Sequence, residues 1–336
     1  MKTYSLPEST EEWIAQHLKD TGLNLKQPKD LAKAILKVSD AYQVHDSVTD
    51  WKDNQTRAAY LSYFFPLNYI RFLRVIDQIK TSHFFSGIDQ VIDFGCGPGP
   101  STKALSSDKD FNFLTKIHGI DNHNEVRSDY LDTPRSKLSL SFGKTKPPGP
   151  LNSTAIIASY AINELESIPH WFFDAEALVI LEPSTKSAFK RFDELRSNLL
   201  NQGYHLWAPC PHMDTCPLSL SKKDWCHDRV HWTQPQWFQN IENQLPIKNT
   251  TLTYSYLLAR KTKKETDDRL RVVGDSLLEK GKTRWMLCRS SEREFLSFLH
   301  RNGKPPQIYR GDSLQLNNYE KKGNELRIKK EDIVLS

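Results

Sequence analysis

A chain of 336 residues has room for one large domain or two ordinary ones. Its composition, with 38% hydrophobic and 26% charged side chains, is typical of a globular protein with a sizeable core. No run approaches the roughly 18 apolar residues that a membrane-spanning helix needs, and the N-terminus lacks the apolar stretch of a secretory signal. We therefore expect a cytoplasmic protein that does not contact membranes and whose cysteines stay reduced.

The net charge of +5 is unevenly distributed along the chain. Residues 260–336 hold 19 lysines and arginines against 12 acids, whereas the remainder holds 27 against 29. The basic excess therefore lies in the C-terminal quarter. One interpretation is a solvated basic surface, and the other is contact with a polyanion, with RNA as the favoured partner.

The first 86 residues are predicted to be helical. The segment LPESTEEWIAQHLKD places Trp13, Ile14 and Leu18 on one face of a helix. The segment PKDLAKAILKVSDAY repeats this helical spacing with Leu31 and Ile35. We interpret these apolar and aromatic stripes as packing surfaces between helices.

From residue 87 the pattern changes to short apolar runs accompanied by helical segments. Five runs are predicted to be strands, namely DQVIDFG, TKIHGIDNH, SKLSLSFG, STAIIASYAI and EALVILEP. Helical segments beside them, notably STKALSS, indicate a parallel sheet with crossover connections. The runs GYHLWAPC and NTTLTYSYLLARK add two strands, with a cysteine-rich loop at 209–229 between them. We assign residues 87–262 to this Rossmann-like α/β domain.

Residues 263–336 are predicted to form a small β-rich extension. Its strand candidates are RLRVVGDSLL, TRWMLCRS and NELRIKK, separated by Gly-Lys and Asn-rich turns. This extension would carry Cys288 together with the basic excess. We expect the whole chain to be a monomer.

The segment VIDFGCGPGPST places Asp93, Gly95, Gly97 and Gly99 between a strand and a helix. Glycines let the backbone turn sharply and approach a ligand closely. The spacing differs from the G-x-G-x-x-G dinucleotide fingerprint and resembles motif I of the class I S-adenosylmethionine-dependent methyltransferases. The resemblance implies that the loop lies against the methionine part of the cofactor, that Asp93 orients that end, and that Asp121 holds the ribose hydroxyls. The alternative is a glycine turn that binds nothing.

No catalytic residue stands out. The segment after the fourth strand reads ASYAINELES and lacks the proline pair of amino-directed methyltransferases. Glu164 is a candidate general base, and its alternative role is that of an acid at a helix start. Glu182 is expected to end the fifth strand.

Three cysteines, Cys210, Cys216 and Cys226, lie in the 209–229 loop, and Cys288 lies in a distant apolar strand. The spacing lacks both the C-x2-C pairs of zinc ribbons and the C-x2-C-x2-C run of ferredoxins. In a reducing compartment, clustered cysteines favour a metal over a disulfide. An iron–sulfur cluster, a zinc site with a nearby histidine, and a metal-free loop all remain open on spacing alone.

The stretch CPHMDTCPL, followed by DWCH, SYLLARK and MLC, resembles the methyltransferase-like family of small-ribosomal-subunit proteins over roughly residues 55–290. The resemblance implies that Cys210, Cys216, Cys226 and Cys288 hold a [4Fe–4S] cluster, with zinc as the alternative. It also implies binding to the 16S-type rRNA of the small ribosomal subunit and a role in its assembly. Two functions stay open, an rRNA methyltransferase and a catalytically inactive RNA-binding assembly factor.

Overall fold

The computed structural model describes most of the chain, namely residues 2–43, 49–132, 138–265 and 268–335. The chain divides into two compact units. Unit 1 comprises residues 1–81, 85–161 and 230–252, and unit 2 comprises residues 82–84, 162–229 and 253–336. In the described ranges, no helix is both long and apolar enough to cross a bilayer.

Helices and strands alternate through much of the chain. The α-helices are α1 (Glu8–Lys19), α2 (Pro28–Gln43), α3 (Asn54–Ala59), α4 (Phe65–Thr81), α5 (Pro100–Ser107), α6 (Arg127–Leu131), α7 (Lys186–Asn201) and α8 (Gln236–Glu242). The strands are β1 (Thr3–Ser5), β2 (Gln90–Phe94), β3 (Lys116–Ile120), β4 (Ser139–Gly143), β5 (Thr154–Ser159), β6 (Ala177–Glu182), β7 (His205–Ala208), β8 (Asp228–Thr233), β9 (Thr251–Arg260), β10 (Leu270–Val272), β11 (Leu277–Glu279), β12 (Lys282–Cys288), β13 (Glu294–Leu299), β14 (Ser313–Leu316), β15 (Glu320–Lys322), β16 (Glu325–Ile328) and β17 (Ile333–Leu335). A π-helical turn, Tyr60–Phe64, joins α3 to α4.

Apolar stripes hold the N-terminal helices together within unit 1. Trp13, Ile14 and Leu18 of α1 are buried, as are Leu31 and Ile35 of α2. Such a stripe at helical spacing is the expected core-facing side of an amphipathic helix. The predicted helices of the N-terminal region are therefore confirmed over its described residues, except that Thr3–Ser5 form the short strand β1.

A four-stranded parallel sheet forms the centre of unit 1, in the order β5-β2-β3-β4. Parallel neighbours need crossover connections, and α5 lies in the connection between β2 and β3. The inner strands β2 and β5 are largely apolar and buried, as expected for a parallel sheet covered on both faces, whereas the edge strand β4 is more exposed. The predicted Rossmann-like α/β fold is confirmed. The strand predicted from residue 136 is observed from Ser139, and residues 136 and 137 lie outside the described ranges.

Unit 2 contains β6 paired antiparallel with β9, and β7 paired antiparallel with the same strand. It also contains an eight-stranded sheet in the order β15-β16-β13-β12-β10-β14-β17, with β11 on β12. One face of this sheet buries Trp285, Leu296, Phe298, Leu314 and Leu326 in a single apolar cluster. The predicted β-rich C-terminal extension is confirmed.

Two elements between the cysteine loop and β9 were not predicted from the sequence. β8 has the sequence DRVHWT, and its residues alternate between buried and more exposed positions. This period of two is the ordinary strand signal. The short helix α8 follows it and buries Phe238 and Ile241.

Candidate functional site

The glycine loop leaves β2 at the carboxyl edge of the parallel sheet in unit 1. The backbone N–H groups of Gly95 and Cys96 donate to the carbonyl of Ile120 at 2.8 and 3.1 Å. Asp121 follows β3 at the same edge, and its N–H donates to Gly143 O at 3.1 Å. Ligands of open α/β sheets bind at this edge. The structure thus brings together the glycine loop and the second acid that the sequence singled out.

The Asp121 carboxylate is bound directly to the loop. The Gly97 N–H donates to Oδ2 at 2.9 Å, and the His123 N–H donates to Oδ1 at 2.9 Å. A carboxylate has about four acceptor positions, so these two bonds leave others available. The half-buried side chain therefore keeps the acceptor capacity that the cis-diol of a ribose requires.

Two of the three loop glycines are required by packing inside the protein. Gly95 and Gly99 have φ values of +63° and +79°. A Cβ on Gly95 would lie 2.5 Å from the Cβ of Ala161, and a Cβ on Gly99 would lie 2.8 Å from a ring carbon of Tyr130. Any larger residue would collide there, and its backbone would also be strained.

Gly97, with φ at +50°, is in a different environment. A Cβ at this position would lie 3.6 Å from the Trp51 ring and 3.7 Å from the Tyr60 hydroxyl, which are ordinary contact distances. The two rings pack edge to face with centroids 4.8 Å apart. Aromatic side chains from the N-terminal region therefore cover the middle of the loop, a role that was not predicted for them.

Asp93 lies in the protein interior and is only 2% exposed. The Thr102 hydroxyl donates to its Oδ2 at 2.6 Å and also lies 3.1 Å from the Tyr130 hydroxyl. Burial raises the pKa of Asp93 to about 7, although hydrogen bonds from Thr102 oppose the change. Asp93 therefore holds α5 against the end of β2, so its substitution would disturb folding as well as any bound cofactor.

Glu182 lies at the end of β6 in unit 2, and its carboxyl group binds the turn that follows β5. Its carboxyl group accepts from the Ile162 N–H at 2.9 Å and from the side-chain amide of Asn163. Burial raises the pKa of Glu182 to about 8. The predicted end of the strand at Glu182 is observed, but its bonds to the turn were missed. The sequence signal that could have revealed these bonds is an acid directly after the buried apolar run ALVIL.

The candidate base Glu164 is exposed.

Four cysteines line one cavity of unit 2, namely Cys210, Cys216, Cys226 and Cys288. None of them forms a disulfide. Burial raises the pKa of Cys216 to about 12, and neighbouring cysteines contribute to this increase. Burial and the same neighbours also raise the pKa of Cys288. The structure thus gathers the four cysteines that the sequence singled out, whereas Cys96 lies in unit 1.

Two arginines border this cavity. Arg271 is buried, donates from Nη1 to Cys226 Sγ at 3.1 Å and forms an ion pair with Asp228. Arg196 donates to the carbonyl of His212 at 3.1 Å. Positive charge beside a thiol favours its thiolate form. Burial nevertheless raises the pKa of Cys226, and the charge of Arg271 partly opposes that rise.

No group of three or more histidine, cysteine, aspartate or glutamate side chains in the described ranges is positioned to hold a metal ion. Neither the iron–sulfur cluster nor the zinc site expected from the sequence is therefore shown by the described residues.

A strand, a glycine loop, a helix and an acid at the end of the next parallel strand define a Rossmann-like α/β protein with a ligand-binding edge. The model of the family described as mitochondrial small ribosomal subunit Rsm22 matches residues 54–306. This match spans most of the chain, and the protein belongs to the Rsm22 family.

Two mitochondrial proteins of Schizosaccharomyces pombe, Rsm22-cox11 tandem proteins 1 and 2, are each 26% identical over 210 residues. The alignment covers 51% of this chain and 27% of each relative, so it spans about a quarter of their length. Among solved structures, the plantazolicin methyltransferase BpumL in complex with SAH is 12% identical, with a TM-score of 0.37 and coverage of 74% of this chain and 99% of that one. A SAM-dependent methyltransferase from Aquifex aeolicus is 21% identical, with a TM-score of 0.30 and coverage of 39% and 80%. The strand order within unit 1, rather than these distant matches, defines the fold.

Proposed function

We propose that this Rsm22-family protein binds S-adenosylmethionine at the Gly95–Gly99 loop and acts on the RNA of the small ribosomal subunit. The observation that carries the cofactor assignment is the hydrogen bond from Gly97 to Asp121, which joins the loop and the acid into one unit. When bound, the cofactor supplies an electrophilic methyl group on a sulfonium. The loop would lie along its methionine part, and Asp121 would accept hydrogen bonds from the ribose hydroxyls.

Isothermal titration of S-adenosylmethionine into the full chain tests this assignment. Asp121→Ala should weaken binding by about 10- to 100-fold, because hydrogen bonds to a charged group contribute about 1.5–3 kcal/mol. Glu12→Ala removes the same charge from an exposed position on α1 and serves as the control. Equal affinity in Asp121→Ala and wild type would place the cofactor elsewhere, and no binding by wild type would refute the proposal.

Two functions at the ribosome are compatible with a bound cofactor. The missing proline pair after β5 and the exposed position of Glu164 favour an assembly factor over an rRNA methyltransferase. Immature small subunits from a strain lacking the protein should be incubated with methyl-labelled cofactor. Label that enters the RNA with wild type, and not with Asp121→Ala, supports the enzyme. Restoration of subunit assembly in cells by Asp121→Ala supports the assembly factor.

We propose further that Cys210, Cys216, Cys226 and Cys288 hold a [4Fe–4S] cluster, with zinc as the alternative. The gathering of four thiols around one cavity, beside the buried cation of Arg271, supports this assignment. Such a site would tie the 209–229 loop to β12 and so contribute to folding, as metal sites commonly do.

Anaerobic purification followed by iron, sulfide and zinc analysis tests the cluster. We expect brown protein with about four irons and four sulfides per chain. Colourless protein with about one zinc per chain would refute the iron–sulfur assignment and favour the alternative.

Three further expectations remain predictions. They are the monomeric state, the cytoplasmic location, and the division of the chain after residues 86 and 262. Light scattering, cell fractionation and limited proteolysis, respectively, check them.

A further inference from the structure

The eight-stranded sheet of unit 2 carries a row of three polar side chains across adjacent strands. Arg284 of β12 lies opposite Ser297 of β13, and Ser297 lies opposite Arg327 of β16. Residues that are paired in this way project from the same face. Leu296 and Phe298, on either side of Ser297, belong to the buried apolar cluster. The row therefore lies on the opposite face of the sheet.

Within the described part of the chain, each member of the row has a buried polar atom without a hydrogen-bond partner. These atoms are Nε of Arg284, Oγ of Ser297 and Nε of Arg327. Ser297 is 0% exposed. The three residues are in direct register, with the partly exposed side chains of Arg284 and Arg327 on either side of the fully buried Ser297.

The charges around the row do not cancel. The Glu325 carboxylate is approached by three cations, Lys282, Arg284 and Arg327. Its oxygens lie 3.3 Å from Nη1 of Arg284 and 3.7 Å from Nε of Arg327. The second of these is too long for a hydrogen bond. Glu279 pairs with Arg284 as well. Strand β15 adds Glu320 opposite Arg327 and Lys322 opposite Glu325 on the same face. Four cations thus face three carboxylates, which leaves one positive charge, and a phosphate diester carries one negative charge.

We propose that this row binds a backbone phosphate of RNA. Guanidinium groups recognise phosphate through two parallel N–H···O bonds. The side chains of Arg284 and Arg327 are 22% and 24% exposed, so a phosphate can reach them from solvent. Arg284 also lies over the Phe295 ring at 4.6 Å, which restrains its guanidinium. This inference rests on the proposed RNA partner and names the surface that contacts it.

The row shares a strand with the cysteine cavity. Arg284, Met286 and Cys288 occupy alternate positions of β12 and therefore lie on one face. Met286, Cys288 and Phe295 belong to one buried cluster, which lies between the row and the cavity. A group bound at Cys288 would thus also order the strand that presents Arg284.

Fluorescence anisotropy of a short labelled single-stranded RNA with the full chain tests the row over a series of KCl concentrations. Arg284→Ala and Arg327→Ala should each weaken binding by about 3- to 10-fold and lower the slope of log Kd against log salt by about 0.7. Lys190→Ala removes the same charge from an exposed position on α7 and should leave both quantities unchanged. Thermal unfolding of every variant identifies any that fails to fold.

Glu325→Gln separates a phosphate site from an ion network that serves folding alone. Removing the competing carboxylate should tighten RNA binding by about 3- to 10-fold, whereas a purely structural network predicts no gain. If wild type binds RNA and the Kd is unchanged in the folded arginine variants and in Glu325→Gln, the row is not the binding site, although RNA remains a partner. Wild type that binds no RNA would overturn both. Inorganic phosphate that binds wild type in the absence of any RNA affinity would mark a site for free phosphate and overturn the RNA assignment.

Discussion

Replacing Gly95 by alanine tests whether this glycine serves the protein's own packing or the cofactor. Gly95 has a left-handed backbone, with φ at +63°, and an added Cβ would lie 2.5 Å from the Cβ of Ala161. A left-handed conformation costs an L-residue about 1–2 kcal/mol. Overpacking of a well-packed site costs about 1–3 kcal/mol more. We therefore expect Gly95→Ala to lower the free energy of unfolding by about 2–5 kcal/mol.

Gly22→Ala provides the matched control, because Gly22 has φ at +81° and no atom within 4 Å of an added Cβ. Its cost should be the backbone term alone, about 1–2 kcal/mol. Both variants are compared with wild type by urea unfolding, which reports the free energy of unfolding and its midpoint.

The double variant Gly95→Ala/Ala161→Gly isolates the collision. Once the Ala161 methyl group is removed, the nearest atom to the added Cβ is the Ala161 Cα at 3.6 Å, which is an ordinary contact. The double variant should therefore recover the overpacking part, with a coupling energy of about 1–3 kcal/mol. If Gly95→Ala instead unfolds like Gly22→Ala and loses only cofactor affinity, without rescue by Ala161→Gly, the packing explanation is wrong.

Three other variants, two of them with a matched control variant, test further features of the protein. Burial raises the pKa of Glu182 from 4.5 to about 8, so its stabilising contribution is complete below about pH 4.5 and is lost as the pH rises towards 8. In urea unfolding, Glu182→Gln should remove this decline of the midpoint with pH. A midpoint profile that is the same in Glu182→Gln and wild type would contradict the assignment. Arg271→Ala leaves a buried carboxylate without its partner and should cost about 3–5 kcal/mol, whereas Arg229→Ala, which breaks an exposed ion pair, should cost about 0–1 kcal/mol in the same unfolding assay. Cys216→Ser should abolish the bound iron of anaerobically purified protein, and Cys96→Ser should retain it; iron retained in Cys216→Ser would exclude that ligand.

Local patterns in the sequence were sufficient for much of the fold. Apolar runs predicted the strands of the parallel sheet, and the spacing of Trp13, Ile14 and Leu18 predicted the buried face of α1. Both signals depend on residues within one element, where the period of the backbone decides which side chains share a face. The cysteine-containing stretch around Cys210 and Cys216 was distinctive enough to indicate the family.

The sequence alone singled out the glycine loop and Asp121 through their resemblance to a methyltransferase motif. It singled out the four cysteines through the resemblance of the chain to a ribosomal-subunit family. Only the tertiary structure decided that Gly95 accommodates Ala161 and that Glu182 is buried against the turn after β5. Only the register of β12, β13 and β16 placed Arg284, Ser297 and Arg327 in one row. These relations join residues that lie far apart in the chain, and no local period reports them, because the pairing of distant strands is determined when the whole core is packed.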